Sequence, residues 1–260
     1  MSKLDIFIDA LKWHATGNNG QPVSIYVWGA QGHSINGSGA LTEADIRSME
    51  VSKSYADQAI ELYRKRKHIP GARAFDCSGL GCYLMECAGV VKKGFDTTAD
   101  GLKSNCKTIS RSQIVKGCFV FKTDSKGKAY HVGYVVDDKK NVVEAQGRKY
   151  GVVMRPLDAG GWNQYGIPKY FESEINNNNP GKWTVDRNLR LTTPYMSGDD
   201  VKGLQEALKA KGSKYAVTTI TGKFGPQTKE KVIAFQKDFG LFVDGIAGEN
   251  TIKKLGGKWV

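Results

Sequence analysis

The apolar residues of this chain change period partway along it, and that change limits the folds open to it. Leu4, Phe7, Ile8 and Leu11 recur three and four apart, the spacing that lines one face of a helix. Residues 42–66 carry the same signature. Thr42 is a candidate cap with Asp45 three residues on, and Ile46, Met49, Ala56, Ala59, Ile60 and Tyr63 form the stripe. Asp76 can cap a further helix that presents Cys77, Leu80, Leu84, Cys87 and Val91 on one side. One short strand is expected earlier, over 23–28, ending at Gly29. From Phe119 onward the pattern alternates. Phe119 to Phe121, Tyr130 to Val136, Val142 to Gln146 and Val152 to Arg155 read as strands split by turn residues. Helices first and strands afterwards predict an α+β domain, with helices packed on an antiparallel sheet.

Asn176-Asn177-Asn178-Asn179-Pro180-Gly181 interrupts this pattern with a polar, turn-prone run that has nothing to bury. It divides a first domain, 1–175, from a linker, 176–187, and a second small domain, 188–260. In the tail, Ser197 is expected to cap a helix with Val201, Leu204 and Leu208, stopped by Gly212. Pro226 opens another with Val232, Phe235 and Phe239, stopped by Gly240, and Thr251 to Leu255 form a last turn. Gly222-Lys223-Phe224-Gly225-Pro226-Gln227-Thr228 recurs as Gly245-Ile246-Ala247-Gly248-Glu249-Asn250-Thr251. That echo suggests a repeated loop-plus-helix unit and a three-helix module.

Lys and Arg outnumber Asp and Glu by 38 to 26, a formal charge of +12 over 260 residues. Such a surface favours polyanions, but no nucleic-acid reader motif is present and no specific nucleic-acid partner is expected. No apolar run is long enough to span a bilayer, so no membrane insertion is expected. The opening ten residues carry acids within their apolar stretch and lack a small-residue cleavage site. They do not read as a signal peptide, so synthesis in a host cytoplasm without one is expected. Five cysteines, an odd number, read as reduced thiols. A zinc site from Cys77, Cys82 and Cys87 is not expected, because a five-residue step on a helix turns the side chain by about 140°; no cofactor or metal is called for. His14, His33 and His68 read as surface or loop residues, Trp162, Trp183 and Trp259 as packing residues, and Arg64 to Lys67 as a solvated face.

Two of these residues suggest chemistry. Cys77 follows the cap Asp76, where free N–H groups at a helix N-terminus would stabilise a thiolate and could hold an oxyanion. Ser78 and Gly79 keep the approach uncrowded. His131 shares a strand face with Gly133, which leaves room beside it for a substrate. On the next strand Glu144 and Gln146 share a face, and either could accept from the imidazole and fix its tautomer.

Phe75-Asp76-Cys77-Ser78-Gly79-Leu80, Tyr130-His131-Val132-Gly133-Tyr134 and Val143-Glu144-Ala145-Gln146-Gly147 resemble the three motifs of the NlpC family of papain-like cell-wall peptidases. Tyr26-Val27-Trp28-Gly29-Ala30 is similar to that family's Tyr-x-Trp-Gly-Gly segment. The resemblance implies a papain-like fold with Cys77 as nucleophile, His131 as base and Glu144 as third member, Gln146 being the reserve candidate. Tyr26, Trp28, Ser78 and Gln146 would line the substrate side. The family usually has His, Asn or Gln where this chain has Glu144, and Ala30 replaces a glycine. The stretch from Trp28 to Cys77 is longer than usual, so its helical residues are expected to cover one side of the cleft. The tail resembles a small three-helix peptidoglycan-binding domain at Leu204 to Leu208, Gly222 to Thr228, Ala234 to Gln236 and Val243 to Gly245. Together the resemblances imply a peptidoglycan hydrolase that cuts stem peptides between D-γ-glutamyl and the diamino acid. A phage endolysin acting on the wall after release is the expected setting, with anionic wall polymers as further partners. The alternatives are an N-acetylmuramoyl-L-alanine amidase on the same scaffold and a catalytically dead wall-binding protein.

Overall fold

A computed structural model describes residues 1–178 and 183–260. The chain forms two compact units, Met1–Ile175 and Asn176–Val260. Of the linker expected over 176–187, residues 179–182 lie outside the described residues. Residues 176–178 close a helix, and Thr184–Val185 form a strand.

In chain order the first unit holds α1 (Lys3–Thr16), β1 (Ile25–Tyr26), β2 (Gln31–Ser34), α2 (Glu43–Met49), α3 (Lys53–Arg66), β3 (Arg73–Phe75), α4 (Cys77–Cys87) and α5 (Ala99–Ser104). There follow β4 (Cys106–Thr108), β5 (Phe119–Thr123), β6 (Ala129–Val135), β7 (Asn141–Gly147), β8 (Gly151–Pro156) and β9 (Gln164–Pro168), then α6 (Glu172–Asn178), which crosses the unit's end. The helices begin on side-chain caps. Ser2 accepts from Asp5 N–H, Thr42 forms a capping box with Asp45, Ser52 accepts from Tyr55 N–H, and Thr98 accepts from Gly101 N–H. The single helix expected over 42–66 is two, because the chain leaves helical geometry at Glu50 and restarts at Ser52. The stripe expected to reach Val91 stops with α4 at Cys87, which is exposed. The strand expected over 23–28 pairs only at Ile25–Tyr26.

Six antiparallel strands lie in the order β4-β9-β5-β6-β7-β8, and a small sheet has the order β1-β3-β2. Alternation sorts the large sheet's side chains. Phe119, Phe121, Val132, Tyr134, Val143 and Ala145 face a core shared with Phe7 and Leu11 of α1 and Leu80 and Leu84 of α4. Val120, Val135 and Val142 face a smaller cluster with Trp162 and Leu157. Each such burial contributes about 1.5–3 kcal/mol. Tyr134 packs edge-on to Phe119 with ring centres 4.9 Å apart, and its buried hydroxyl donates to Cys77 O at 2.9 Å. That bond ties the first turn of α4 to β6.

The second unit contains β10 (Thr184–Val185), α7 (Asp199–Ala210), α8 (Pro226–Asp238), α9 (Glu249–Leu255) and β11 (Lys258–Trp259), with β10 and β11 paired in parallel. Its three helices enclose Leu204, Leu208, Val232, Phe235, Ile252 and Leu255. Ser197 is not the cap of α7: Gly198 holds that position, and Ser197 bridges to Lys223 instead. The repeated segments are braced alike. The buried Gln205 amide accepts from Thr221 and Gly222 N–H, both at 3.0 Å, and donates to Lys223 O and Thr228 Oγ1, both at 2.9 Å. Gln236 accepts from Gly245 N–H at 2.9 Å, and its amide nitrogen meets Asp244, Ile246 O and Thr251. Among the described residues no helix is long and apolar enough to cross a membrane.

Candidate active site

Strand β3 runs straight into the cap of α4. Asp76 N–H donates to Ala30 O at 2.8 Å, and the Asp76 carboxylate accepts from Gly79 N–H at 2.6 Å and from Ser78 Oγ at 3.3 Å. Ser78 is buried by this turn. Gly79 does not open an approach to the sulfur, as its sequence position suggested. A Cβ there would lie 2.3 Å from Ala30 O, so glycine lets α4 press against the segment after Trp28. The backbone N–H groups of Val132, next to His131, and of Ser78 and Cys77 itself draw the Cys77 thiol toward ionisation. These donors favour a thiolate, but burial and the neighbouring Asp76 charge outweigh them and push the thiol up to about 11. The N–H groups at the helix N-terminus thus act in the direction expected from sequence, against the larger opposing effect of burial.

His131 stands on β6 with Nε2 2.6 Å from Glu144 Oε2. The register Tyr134↔Val143 and Val135↔Val142 carries β7 alongside, so that Glu144 lies diagonally across from the imidazole. Of the two candidates on β7, Glu144 is thus the one bonded to the ring, while Gln146 is half-buried two residues on. The second oxygen of Glu144 accepts from Arg155 Nε at 2.8 Å and forms an ion pair with another nitrogen of the same guanidinium, 2.7 Å away. Burial pushes the Glu144 carboxyl upward, but the hydrogen bonds and charges of His131 and Arg155 hold it below the usual carboxylate range. Trp162 stacks on the imidazole with ring centres 5.5 Å apart and planes within 6°. The space beside Gly133 is therefore filled rather than open to substrate. A Cβ at Gly133 would meet Val142 at 2.6 Å and Trp162 at 2.8 Å.

A second cluster borders Cys77. Tyr26 is buried on β1, and burial together with the nearby Cys77 raises its phenol well above the ordinary range, so it remains a proton donor. Arg148, just past β7, lies 4.8 Å from the centre of the Tyr26 ring, 4.5 Å from Tyr55 and 5.9 Å from Trp28. Its guanidinium grips Glu50 Oε2 at 2.7 and 2.9 Å, while Glu50 Oε1 accepts from Trp28 N–H at 3.0 Å. Glu50 follows α2, so the inserted helices are fastened to the residues around Tyr26. Trp28 and Tyr55 remain exposed.

Sequence reasoning passed over Arg155, Arg148 and Glu50, and it treated Trp162 as packing alone. An arginine in strand alternation diagonal to a buried glutamate is the signal that could have found Arg155. Two bland readings also change. His14 is buried in α1, with Nδ1 2.7 Å from Ser24 Oγ. Arg66 turns inward to donate to Ser24 O at 2.7 Å, whereas Arg64 and Lys65 pair with Glu43 and Glu61 on the surface. His33 and His68 are exposed. Among the described residues no group of three His, Cys, Asp or Glu side chains could hold a metal ion.

Comparison with known proteins gives two profile matches: the NlpC/P60 family over residues 20–168 and a putative peptidoglycan binding domain over residues 197–255. The zinc D-Ala-D-Ala carboxypeptidase of Streptomyces albus G is 42% identical over 59 residues, 23% of either chain. The N-acetylmuramoyl-L-alanine amidase CwlM of Mycobacterium tuberculosis is 38% identical over 60 residues, 23% of this chain and 14% of that protein. The chain thus spans less than a quarter of the length of these curated relatives. Among solved structures, the P60 domain of antigen MAP1204 from M. avium subspecies paratuberculosis aligns over 64% of this chain and 93% of its own, at 18% identity and a TM-score of 0.40. The peptidoglycan hydrolase RipB from Mycobacterium tuberculosis aligns over 65% of this chain and 66% of its own, also at 18% identity and 0.40. The first profile covers more than half of the chain and takes in Tyr26, Cys77, His131 and Glu144: the protein belongs to the NlpC/P60 family.

Proposed function

We propose that the protein is a peptidoglycan hydrolase that works as a cysteine peptidase on stem peptides, between D-γ-glutamyl and the diamino acid. The observation that carries this reading is the meeting of α4 and β6, where the Tyr134 hydroxyl holds Cys77 O at 2.9 Å and the imidazole of the same strand is bonded to Glu144. With Nε2 on Glu144, Nδ1 is the nitrogen that takes the thiol proton as sulfur attacks the amide carbon. The N-terminal N–H groups of α4 and the protonated Tyr26 hydroxyl stabilise the developing oxyanion. His131 then delivers the proton to the leaving amine, the carbon–nitrogen bond breaks, and water releases the acyl group from sulfur. The second unit keeps the enzyme on its polymer, and the net charge of +12 adds attraction to anionic wall polymers. Lysis of a bacterial host by a phage is the setting we infer for this chemistry.

Digestion of purified sacculi by the wild type and by Cys77→Ala tests the reading. Turbidity should fall only with the wild type, and mass analysis should find new amino termini on the diamino acid. New termini on L-alanine would replace the endopeptidase with an amidase. Equal turbidity curves for the two proteins would leave an adhesin.

A further inference from the structure

We propose that Arg155 is a positioning residue of this site, the counter-charge that lets a fully buried glutamate orient the catalytic base. The inference rests on the reading of His131 as that base. The Glu144 side chain has no exposure to solvent, and its two oxygens are divided, one to His131 and the other to the guanidinium fork. A carboxylate taken wholly out of water beside a single neutral ring would either take up a proton or pull one onto the ring. In the first case it would cease to be a plain acceptor for Nε2–H. In the second the imidazole would be held charged and unable to accept from Cys77. Arg155 prevents both, because its charge offsets that of Glu144 while its Nε–H holds the oxygen turned away from the ring.

The fold supplies this partner by register. Val142 pairs with Arg155 and Glu144 with Val153, so Arg155 lies diagonal to Glu144 on the same face of the sheet. The other charged or titratable groups near the imidazole are Cys77 and Asp76 from α4 and Lys122 from β5. Lys122 is the cross-strand partner of His131, and its ammonium sits 5.1 Å from the centre of the Trp162 ring. Among the described residues none of these bonds to Glu144; His131 and Arg155 together hold its carboxyl low, and Arg155 is the partner that carries a permanent charge.

His131 and Glu144 form a hydrogen-bonded pair, and the test reads that pair directly. The full chain, labelled at its four histidines, is titrated by NMR as wild type, Arg155→Met and Arg155→Lys. In Arg155→Met the upper titration of the pair should move up by about 1 pH unit, and in Arg155→Lys it should remain near the wild type. The acid limb of kcat/KM on sacculi should follow, costing about tenfold one pH unit below the wild-type limb. Arg155→Gln keeps a donor without the charge and carries the same expectation where Arg155→Met does not fold. Wild-type titration in both uncharged variants would overturn the proposal, as would a shift in Arg155→Lys equal to theirs. Because the NMR readout needs no substrate, a wall-inactive wild type would refute the proposed function without deciding this point.

Discussion

Lowering the pH from 7 to 5 probes the interior of the first unit at one residue. His14 lies among Trp13, Phe75 and Ser24, and burial, helped by the Arg73 charge, takes its imidazole down from 6.5 to about 4. In the unfolded chain the ring takes up a proton below about 6.5, while the folded protein refuses one until about pH 4. The stability tied to neutral His14 is therefore whole above pH 6.5 and lost as pH falls toward 4. For these values the loss is about 2 kcal/mol between pH 7 and 5, and about 3 kcal/mol by pH 4. Urea unfolding of the wild type and of His14→Gln, at pH 7, 6 and 5 with reductant present, isolates the contribution. Subtracting the two curves removes every group they share. The wild type should lose about 2 kcal/mol more than the variant across that range. Parallel losses would show that His14 accepts its proton while folded, and the account of its burial would be wrong.

Other perturbations reach other parts of the molecule. Gly133→Ala drives a Cβ into Val142 and Trp162; a cost of about 1–3 kcal/mol should appear as a lower Tm, and an unchanged Tm would mean that Trp162 moves freely. Glu50→Ala leaves the Arg148 guanidinium largely buried without its carboxylate, and urea unfolding should register about 3 kcal/mol; a loss near zero would show the pair to be dispensable. Gln236→Leu removes the amide that holds the second repeated loop, at about 1 kcal/mol for each bond lost. Hydrogen exchange at Gly245 should quicken in the full chain, and unchanged protection would refute the brace.

Legibility followed the way burial shapes the sequence. Strands β5 to β7 could be read because their Phe, Tyr and Val residues fill the two clusters that the large sheet separates, and β8 because Val152 and Val153 open it next to the turn after β7. Strand β9 could not, since Gly166 holds an inward position with no side chain and Pro168 ends it. Strands β2, β3 and β4 are three or four residues long, too short to show a period. The break at Glu50 leaves no mark on the apolar stripe, and the partner that holds Glu50 there, Arg148, lies 98 residues away. The candidate site divides in the same way. Cys77, His131 and Glu144 could be singled out because cap, strand period and motif coincide on them. Arg148 and Trp162 act through distant pairings that nothing adjacent in the chain announces, and Arg155 becomes visible only once the register of β7 and β8 is known.

The two glutamines inside the second unit have a consequence for how such a module changes over time. Each loop takes its shape from an amide behind it, not from the residues it displays. Outward side chains such as Lys223 and Glu249 are thereby released from any duty to the backbone of these turns. A new recognition surface can be written onto these turns by exchanging what points outward, with the frame beneath left intact.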